Sequence, residues 1–216
     1  MKILVTAGPT REALDPVRFL SNRSSGRMGY AVARAAAERG HDVRLVSGPV
    51  AIDAPACERV IRVTSADEML SAVREHLPWC DALVMTAAVA DWRPSRFSAE
   101  KLKKGEADGI TLQLVPTVDI LSDVRSLKQG RIFVGFAAET ERVVEAAKRK
   151  CREKPLDLIV ANDVSASDAG FEVDTNRVTL IDPAGNAESL PVMSKLDVGR
   201  RLVEWVERQA AALHRA

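Results

Sequence analysis

Three clusters in this chain carry residue types that work on anionic ligands. The first follows the apolar run at 2–7 and reads Gly8-Pro9-Thr10, then, after a polar stretch, Ser24-Ser25-Gly26-Arg27-Met28-Gly29. A glycine- and serine-rich turn that opens a helix suits phosphate, because the first amide N–H groups of a helix lack partners within it and point at the ligand. The second cluster, Ala87-Ala88-Val89-Ala90-Asp91-Trp92-Arg93-Pro94, begins where an apolar run ends, and its small residues let a ligand approach the backbone. The third, Glu100-Lys101-Leu102-Lys103-Lys104-Gly105, is a basic cluster in a stretch with neither helical nor strand periodicity. Such a run reads as a solvated loop or, so close behind a ligand-type loop, as a mobile lid that brings a lysine to a reacting phosphate. The segment 11–23 is longer than a strand-to-helix connection requires, which marks it as a binding loop.

Short apolar runs alternating with helical periodicity must position these clusters, and that alternation is the pattern of a parallel sheet covered on both faces. Strands are expected at 2–7, 42–47, 60–63, 82–86, 132–137 and 156–161, and helices at 26–39, 66–76, 118–126 and 141–154. The fold class is therefore α/β, a Rossmann-like, mostly parallel sheet in a single domain over 1–216. Open sheets of this kind place ligands beyond the C-terminal ends of their strands, where the Ala87 loop is expected. The tail departs from the wind. Runs at 177–182 and 187–192 flank Pro183-Ala184-Gly185-Asn186 and read as an antiparallel hairpin, followed by a packing helix at 195–213 with Gly199 on its apolar face.

Bulk properties exclude several classes. A chain of 216 residues that is 46% hydrophobic can bury a full core, and a net charge of +1 gives no general surface for nucleic acid or membrane. Cys57, Cys80 and Cys151 are odd in number and without metal-ligand spacing, so neither a disulfide framework nor a zinc site is expected, and a cytoplasmic location fits. No signal-peptide or membrane-spanning pattern is present. An NAD(P)-dependent Rossmann-fold reductase is the main alternative, but no G-x-G-x-x-G follows the first strand, and Tyr30 is followed four residues on by Arg34 where a short-chain dehydrogenase needs lysine. No Walker motif occurs.

The ordered blocks Val5-Thr6-Ala7-Gly8-Pro9-Thr10-Arg11-Glu12, Asp15-Pro16-Val17-Arg18, Ser21-Asn22-Arg23-Ser24-Ser25-Gly26, Ala87-Ala88-Val89-Ala90-Asp91, Lys101-Leu102-Lys103-Lys104, Gly135-Phe136-Ala137-Ala138-Glu139-Thr140 and Asn162-Asp163-Val164-Ser165 resemble phosphopantothenoylcysteine synthetase. That family is a ligase of coenzyme A biosynthesis which in most bacteria forms the C-terminal half of a bifunctional protein. The resemblance implies that the carboxylate of 4′-phosphopantothenate attacks the α-phosphate of CTP, releasing pyrophosphate, and that the amine of L-cysteine then displaces CMP from the acyl-cytidylate. No side-chain nucleophile is needed; the site gathers anions and spreads developing charge.

Residue by residue, the resemblance implies that Asn22 bonds the pantothenate amide or acyl group and holds the intermediate, with Arg18 and the backbone near Ala88 seating phosphopantothenate. Lys101 helps to form the acyl-cytidylate. The backbone at Ala87 and Asp91, with Phe136, surrounds cytosine, while Gly8, Ser24 and the Gly26 turn lie near the triphosphate, and Lys150 and Lys154 face it from a later helix. Phe136 also reads as a core residue, and the two lysines as a solvated face. Mg2+ is expected to accompany CTP, with no metal ligands assigned.

Three departures qualify the match. Val115-Pro116-Thr117 stands where the family commonly has Asn-Pro-Asp; the chain starts directly at the first strand, so it is either a stand-alone synthetase or an excised domain lacking a flavin decarboxylase half; and the base preference, CTP against ATP, stays open. A homodimer is expected through a flap at 107–115, where Ile110, Leu112 and Leu114 alternate with Thr111 and Gln113 as in an amphipathic strand.

Overall fold

Apolar residues alternate between the two faces of the first strand, and the fold follows from that alternation. In a computed structural model that describes residues 1–104, 109–139, 143–163 and 173–213, Ile3, Val5 and Ala7 enter one buried cluster and Leu4 the other. Eight strands form the central sheet: β1 (Lys2–Ala7), β2 (Asp42–Ser47), β3 (Arg59–Arg62), β4 (Ala82–Met85), β5 (Ile132–Glu139), β6 (Leu158–Asp163), β7 (Val178–Ile181) and β8 (Ala187–Ser189). Their spatial order is β8-β7-β6-β5-β4-β1-β2-β3, with β1 to β6 parallel and the last two antiparallel. The parallel part is the Rossmann order, and its direction of winding reverses between β1 and β4.

Helices α1 (Arg27–Glu38) and α5 (Lys195–Leu213) cover one face; α2 (Ala66–His76), the short α3 (Ile120–Asp123) and α4 (Val143–Glu153) cover the other. Gly199 lets α5 cross α1 closely, since a Cβ there would stand 2.9 Å from the Ala31 carbonyl oxygen. Ser65 and Glu68 close a capping box at the start of α2.

All six expected parallel strands are present, and so is the C-terminal hairpin. The strand expected from 156 begins two residues later, after Asp157 has turned its carboxylate to accept from the Phe133 amide at 2.7 Å. Of the helix expected at 118–126 only Ile120–Asp123 is α-helical; Asp119 caps it by accepting from the Ser122 amide, and a 3₁₀ turn at Arg125–Leu127 ends it. The expected flap strand is largely absent: residues 109–113 have no strand, and only Leu114–Pro116 pairs, with Trp92–Pro94. Residues 107 and 108 of that flap, the start of the helix expected from 141, and Thr140, Val164 and Ser165 lie outside the described residues. Two ribbons were not expected, Arg11–Ala13 with Phe19–Ser21 and Thr175–Asn176 with Met193–Ser194. The first gives the long loop its own hairpin.

Candidate active-site cleft

A cleft of about 650 Å³ opens where the winding reverses, at the C-terminal ends of β1, β4, β5 and β6. Its floor is close-packed backbone. Gly26 caps α1 at φ 78°, and no side chain caps that helix. The Ser24 hydroxyl accepts from the Gly26 amide at 3.3 Å. One turn further on, Gly29 touches β1: a Cβ there would be 2.5 Å from that of Ala7 and would also meet Thr86 Oγ1. Glycine at 29 therefore sets how deep the helix start sits in the sheet.

Past β4 the chain turns through Thr86 to Asp91 along one wall, and the Ala88 amide donates to the Gly8 carbonyl at 2.9 Å. Asn22 locks onto this wall. Its Nδ2 donates to the Ala88 and Val89 carbonyls, both at 3.1 Å, which uses both amide hydrogens and leaves Oδ1 as an acceptor. Asn22 can therefore receive a hydrogen bond from a ligand's amide N–H.

The opposite wall is formed by 117–121, Phe136 and the end of α4. Thr117 donates through its amide to the Asp91 carbonyl at 2.9 Å, and through its hydroxyl to Ala90, so Val115-Pro116-Thr117 braces the loop opposite. Lys154 Nζ pairs with the Asp119 carboxylate and reaches Ser122 Oγ at 2.9 Å. Burial acts to raise the Asp119 pKa, but Lys154 and Ser122 outweigh it and hold the acid below its ordinary value. Lys150 lines the rim. Phe136 is half-buried, packed on the α1/α5 cluster while also lining the cleft.

The sequence reading of the deep end was incomplete. Lys195, 6% exposed, begins α5 and donates to the Val173 and Thr175 carbonyls; burial pushes its pKa down to about 8, helped by Arg27 and opposed by Asp174. Beside it in the cleft lining are Asn162 and Asn176, each with a buried Oδ1 that has no hydrogen-bond partner. An orphaned buried amide oxygen costs free energy unless a ligand satisfies it. The sequence places Asn162 in a family-like stretch, Asn162-Asp163-Val164-Ser165, without giving it a role, and shows Lys195 only as the first residue of a packing helix. A lysine at the start of a helix, where the dipole disfavours it, was the available signal.

Of the expected site residues, Asn22, Ser24, Gly26, Ala87, Ala88, Asp91, Phe136, Lys150 and Lys154 come together in the cleft lining. Gly8 lies beneath it, 3.3 Å from where a Gly26 Cβ would stand. Arg18 and Lys101 are outside the lining. The Arg18 guanidinium is bound to Asp15 and to the Leu102 carbonyl, and Lys101 is exposed one residue before that contact.

The family described as the DNA/pantothenate metabolism flavoprotein C-terminal domain matches this chain over residues 1–209. The chain belongs to that family. Similar members include the coenzyme A biosynthesis bifunctional protein CoaBC of Bacillus subtilis, 48% identical over 94% of this chain and 50% of its own length, and that of Escherichia coli, 44% identical over 95% and 51%. The chain thus spans about half the length of the curated relatives it matches. Among solved structures of this flavoprotein-domain family, the C-terminal domain of CoaBC superposes with a TM-score of 0.83 at 43% identity, covering 98% of each chain. A Cab2 variant in complex with phosphopantothenate-cysteine shares the fold at 15% identity, with a TM-score of 0.75 over 98% of this chain and 88% of its own.

Proposed function

We propose that this chain joins 4′-phosphopantothenate to L-cysteine through an acyl-cytidylate, consuming CTP and releasing pyrophosphate and CMP. The observation that carries the reading is Asn22, locked by two backbone bonds at the switch-point cleft and presenting an acceptor to the substrate's amide, opposite a wall lined by Lys150 and Lys154. CoaBC relatives at 44–48% identity and a fold neighbour carrying phosphopantothenate-cysteine support it. No observation favours the reductase alternative; β1 leads into a β-ribbon rather than directly into a helix.

In this reading the Gly26 turn and Ser24 receive the triphosphate, with Gly8 supporting the turn from below, and Ala87, Asp91 and Phe136 flank the base. Lys150 and Lys154 neutralise phosphate charge, with Asp119 holding the Lys154 ammonium at the wall of the cleft that both line. The carboxylate oxygen of the pantothenate attacks the α-phosphorus, the bond to pyrophosphate breaks, and Lys101 meets the charge that moves to the leaving group. The cysteine amine then attacks the acyl carbon and CMP departs with the electron pair. Asn22 and the Ala88 backbone hold the intermediate between the two steps.

Among the described residues no three carboxylate, histidine or cysteine side chains gather as a metal cage. An oxygen-ligated Mg2+ bound to the triphosphate would take few protein ligands and keep its waters, and Asp91 is a carboxylate of the cleft lining that could hold it. When bound, the ion would neutralise charge on the phosphates. No described helix is long and apolar enough to cross a membrane, and a cytoplasmic location is part of this reading. Exposed Trp92, Phe97, Ile110, Leu112 and Leu114 support a homodimer through the Trp92–Pro94 ribbon and its flanks.

The test is product analysis. Incubated with phosphopantothenate, Mg2+ and CTP or ATP in parallel, the chain should release pyrophosphate in step with the nucleoside monophosphate once cysteine is added. Orthophosphate and a nucleoside diphosphate would point to an acyl phosphate and overturn the cytidylate route.

A further inference from the structure

Asp15 is an acid with a fully buried side chain that the catalytic reading above does not use. Its Oδ1 accepts from the Val17 and Arg18 amides, both at 2.8 Å; its Oδ2 accepts from Arg18 Nε at 3.0 Å and Nη2 at 2.5 Å. Those four bonds are local and suffice to build the turn at 15–18. The fifth is not local: Oδ2 also accepts from the amide of Leu102, at 3.1 Å, 87 residues further along the chain. Arg18 Nη2 completes the contact by donating to the Leu102 carbonyl at 2.6 Å. Both backbone polar groups of one loop residue are thus gripped by one ion pair.

The grip fixes more than Leu102. The Leu102 N–H shares a rigid peptide plane with the carbonyl and Cα of Lys101, so holding that N–H orients the base of the Lys101 side chain. The stretch 98–104 has no helix or strand to do this for it, and its other tie, the Ser98 amide to the Leu14 carbonyl at 3.0 Å, runs to the same 11–23 loop. That loop also carries Asn22 onto the Ala88 and Val89 carbonyls. One segment therefore sets both the lysine and the asparagine. The guanidinium bonded to Asp15 holds its carboxyl well below the usual carboxylate range, so the clamp stays ionised throughout the neutral range.

We propose that Asp15 and Arg18 form a clamp on the Leu102 backbone that positions Lys101 to meet the charge that develops when the substrate carboxylate attacks the nucleotide, which makes both of them positioning residues. This rests on the ligase reading and on the part given there to Lys101. It also gives Arg18 a place different from direct contact with phosphopantothenate.

The experiment is a double-mutant cycle on the full chain, read as single-turnover pyrophosphate release without cysteine, for D15N, K101Q and D15N/K101Q. Misplacement of a reacting group by about 1 Å costs on the order of 100-fold, so D15N should slow release by about that factor, and hydrogen exchange over 99–104 should rise. In the K101Q background D15N should cost less than about twofold, because residues that act as a unit are not additive. A purely structural Asp15 would instead multiply its loss onto that of K101Q, and that result, or a normal D15N rate, overturns the clamp. Should D15N fail to fold, R18Q, which replaces a side chain that is 44% exposed, enters the same cycle under the same criteria. A K101Q chain with the full rate refutes the lysine's catalytic part, an outcome separate from additive losses.

Discussion

Replacing Asn22 by aspartate changes one atom group and tests the centre of the site. The Asn22 amide nitrogen is 3.1 Å from both the Ala88 and the Val89 carbonyl oxygens. Aspartate removes both donors and puts a carboxylate oxygen where they were, facing two carbonyl oxygens. Net loss of two hydrogen bonds amounts to about 1–3 kcal/mol, a factor of roughly 5 to 150 at about 1.4 kcal/mol per tenfold, and repulsion by the new charge adds to it. The damage should be local, because Asn22 is exposed and outside both core clusters. N22D should therefore stay folded, with its melting temperature lowered by no more than about 10 °C, but release its acyl-cytidylate into solution, detectable as labelled intermediate that fails to stay with the protein on rapid gel filtration. The deficit should shrink as pH falls toward the carboxyl's own titration, where the protonated acid regains one donor. A variant that forms and retains the intermediate within twofold of the parent refutes the argument that Asn22 acts from this wall.

Three further outcomes follow from the cleft's deep end and floor. The Lys195 ammonium is lost as pH rises through about 8, so CTP affinity in the cysteine-free half-reaction should weaken above that pH; K195R, which does not titrate there, should flatten the profile, and an identical profile for the variant would remove Lys195 from the site. For stability the sign is the reverse: a lysine with a depressed folded pKa binds its proton less tightly when folded, so its penalty is full below about 8 and is relieved as pH rises toward the ordinary lysine value. N176L should leave the melting temperature unchanged or higher, since it removes an orphaned buried oxygen, while weakening substrate binding in calorimetry; unchanged affinity would show that the oxygen meets no ligand. G29A should overpack α1 on Ala7 at about 1–3 kcal/mol and raise the KM for CTP together with a lowered melting temperature, and a variant normal in both would refute the close-contact argument.

Periodicity carried most of the fold. Parallel strands buried on both faces are short apolar runs, and the amphipathic stripes between them mark an α/β wind, so β1 to β6 were legible without coordinates, while their spatial order was given by the structure. The small-residue turns were legible for the same reason: Gly26 and Gly29 are dictated by local backbone geometry and close approach, which leave a mark at single positions. Misreadings fell where local pattern and tertiary pairing compete. The alternation at 110–114 reads as a strand, yet a strand exists only where a partner is present, and Trp92–Pro94 reaches no further than Leu114–Pro116. Apolar spacing over 118–126 reads as a helix, but Asp119 is drawn to Lys154 and starts the helix late.

What the sequence alone determined is the set of groups: an asparagine, a phosphate turn, and lysines arranged along a parallel sheet. Only the tertiary structure decided which of their atoms are available. It spends both hydrogens of Asn22 on backbone carbonyls, turns Arg18 away from the cleft onto Asp15 and Leu102, and brings Lys195 and Asn176 into the cleft from the far end of the chain. The physical reason is that hydrogen bonds and burial at a site depend on partners tens of residues away, and residue type and spacing do not record those partners.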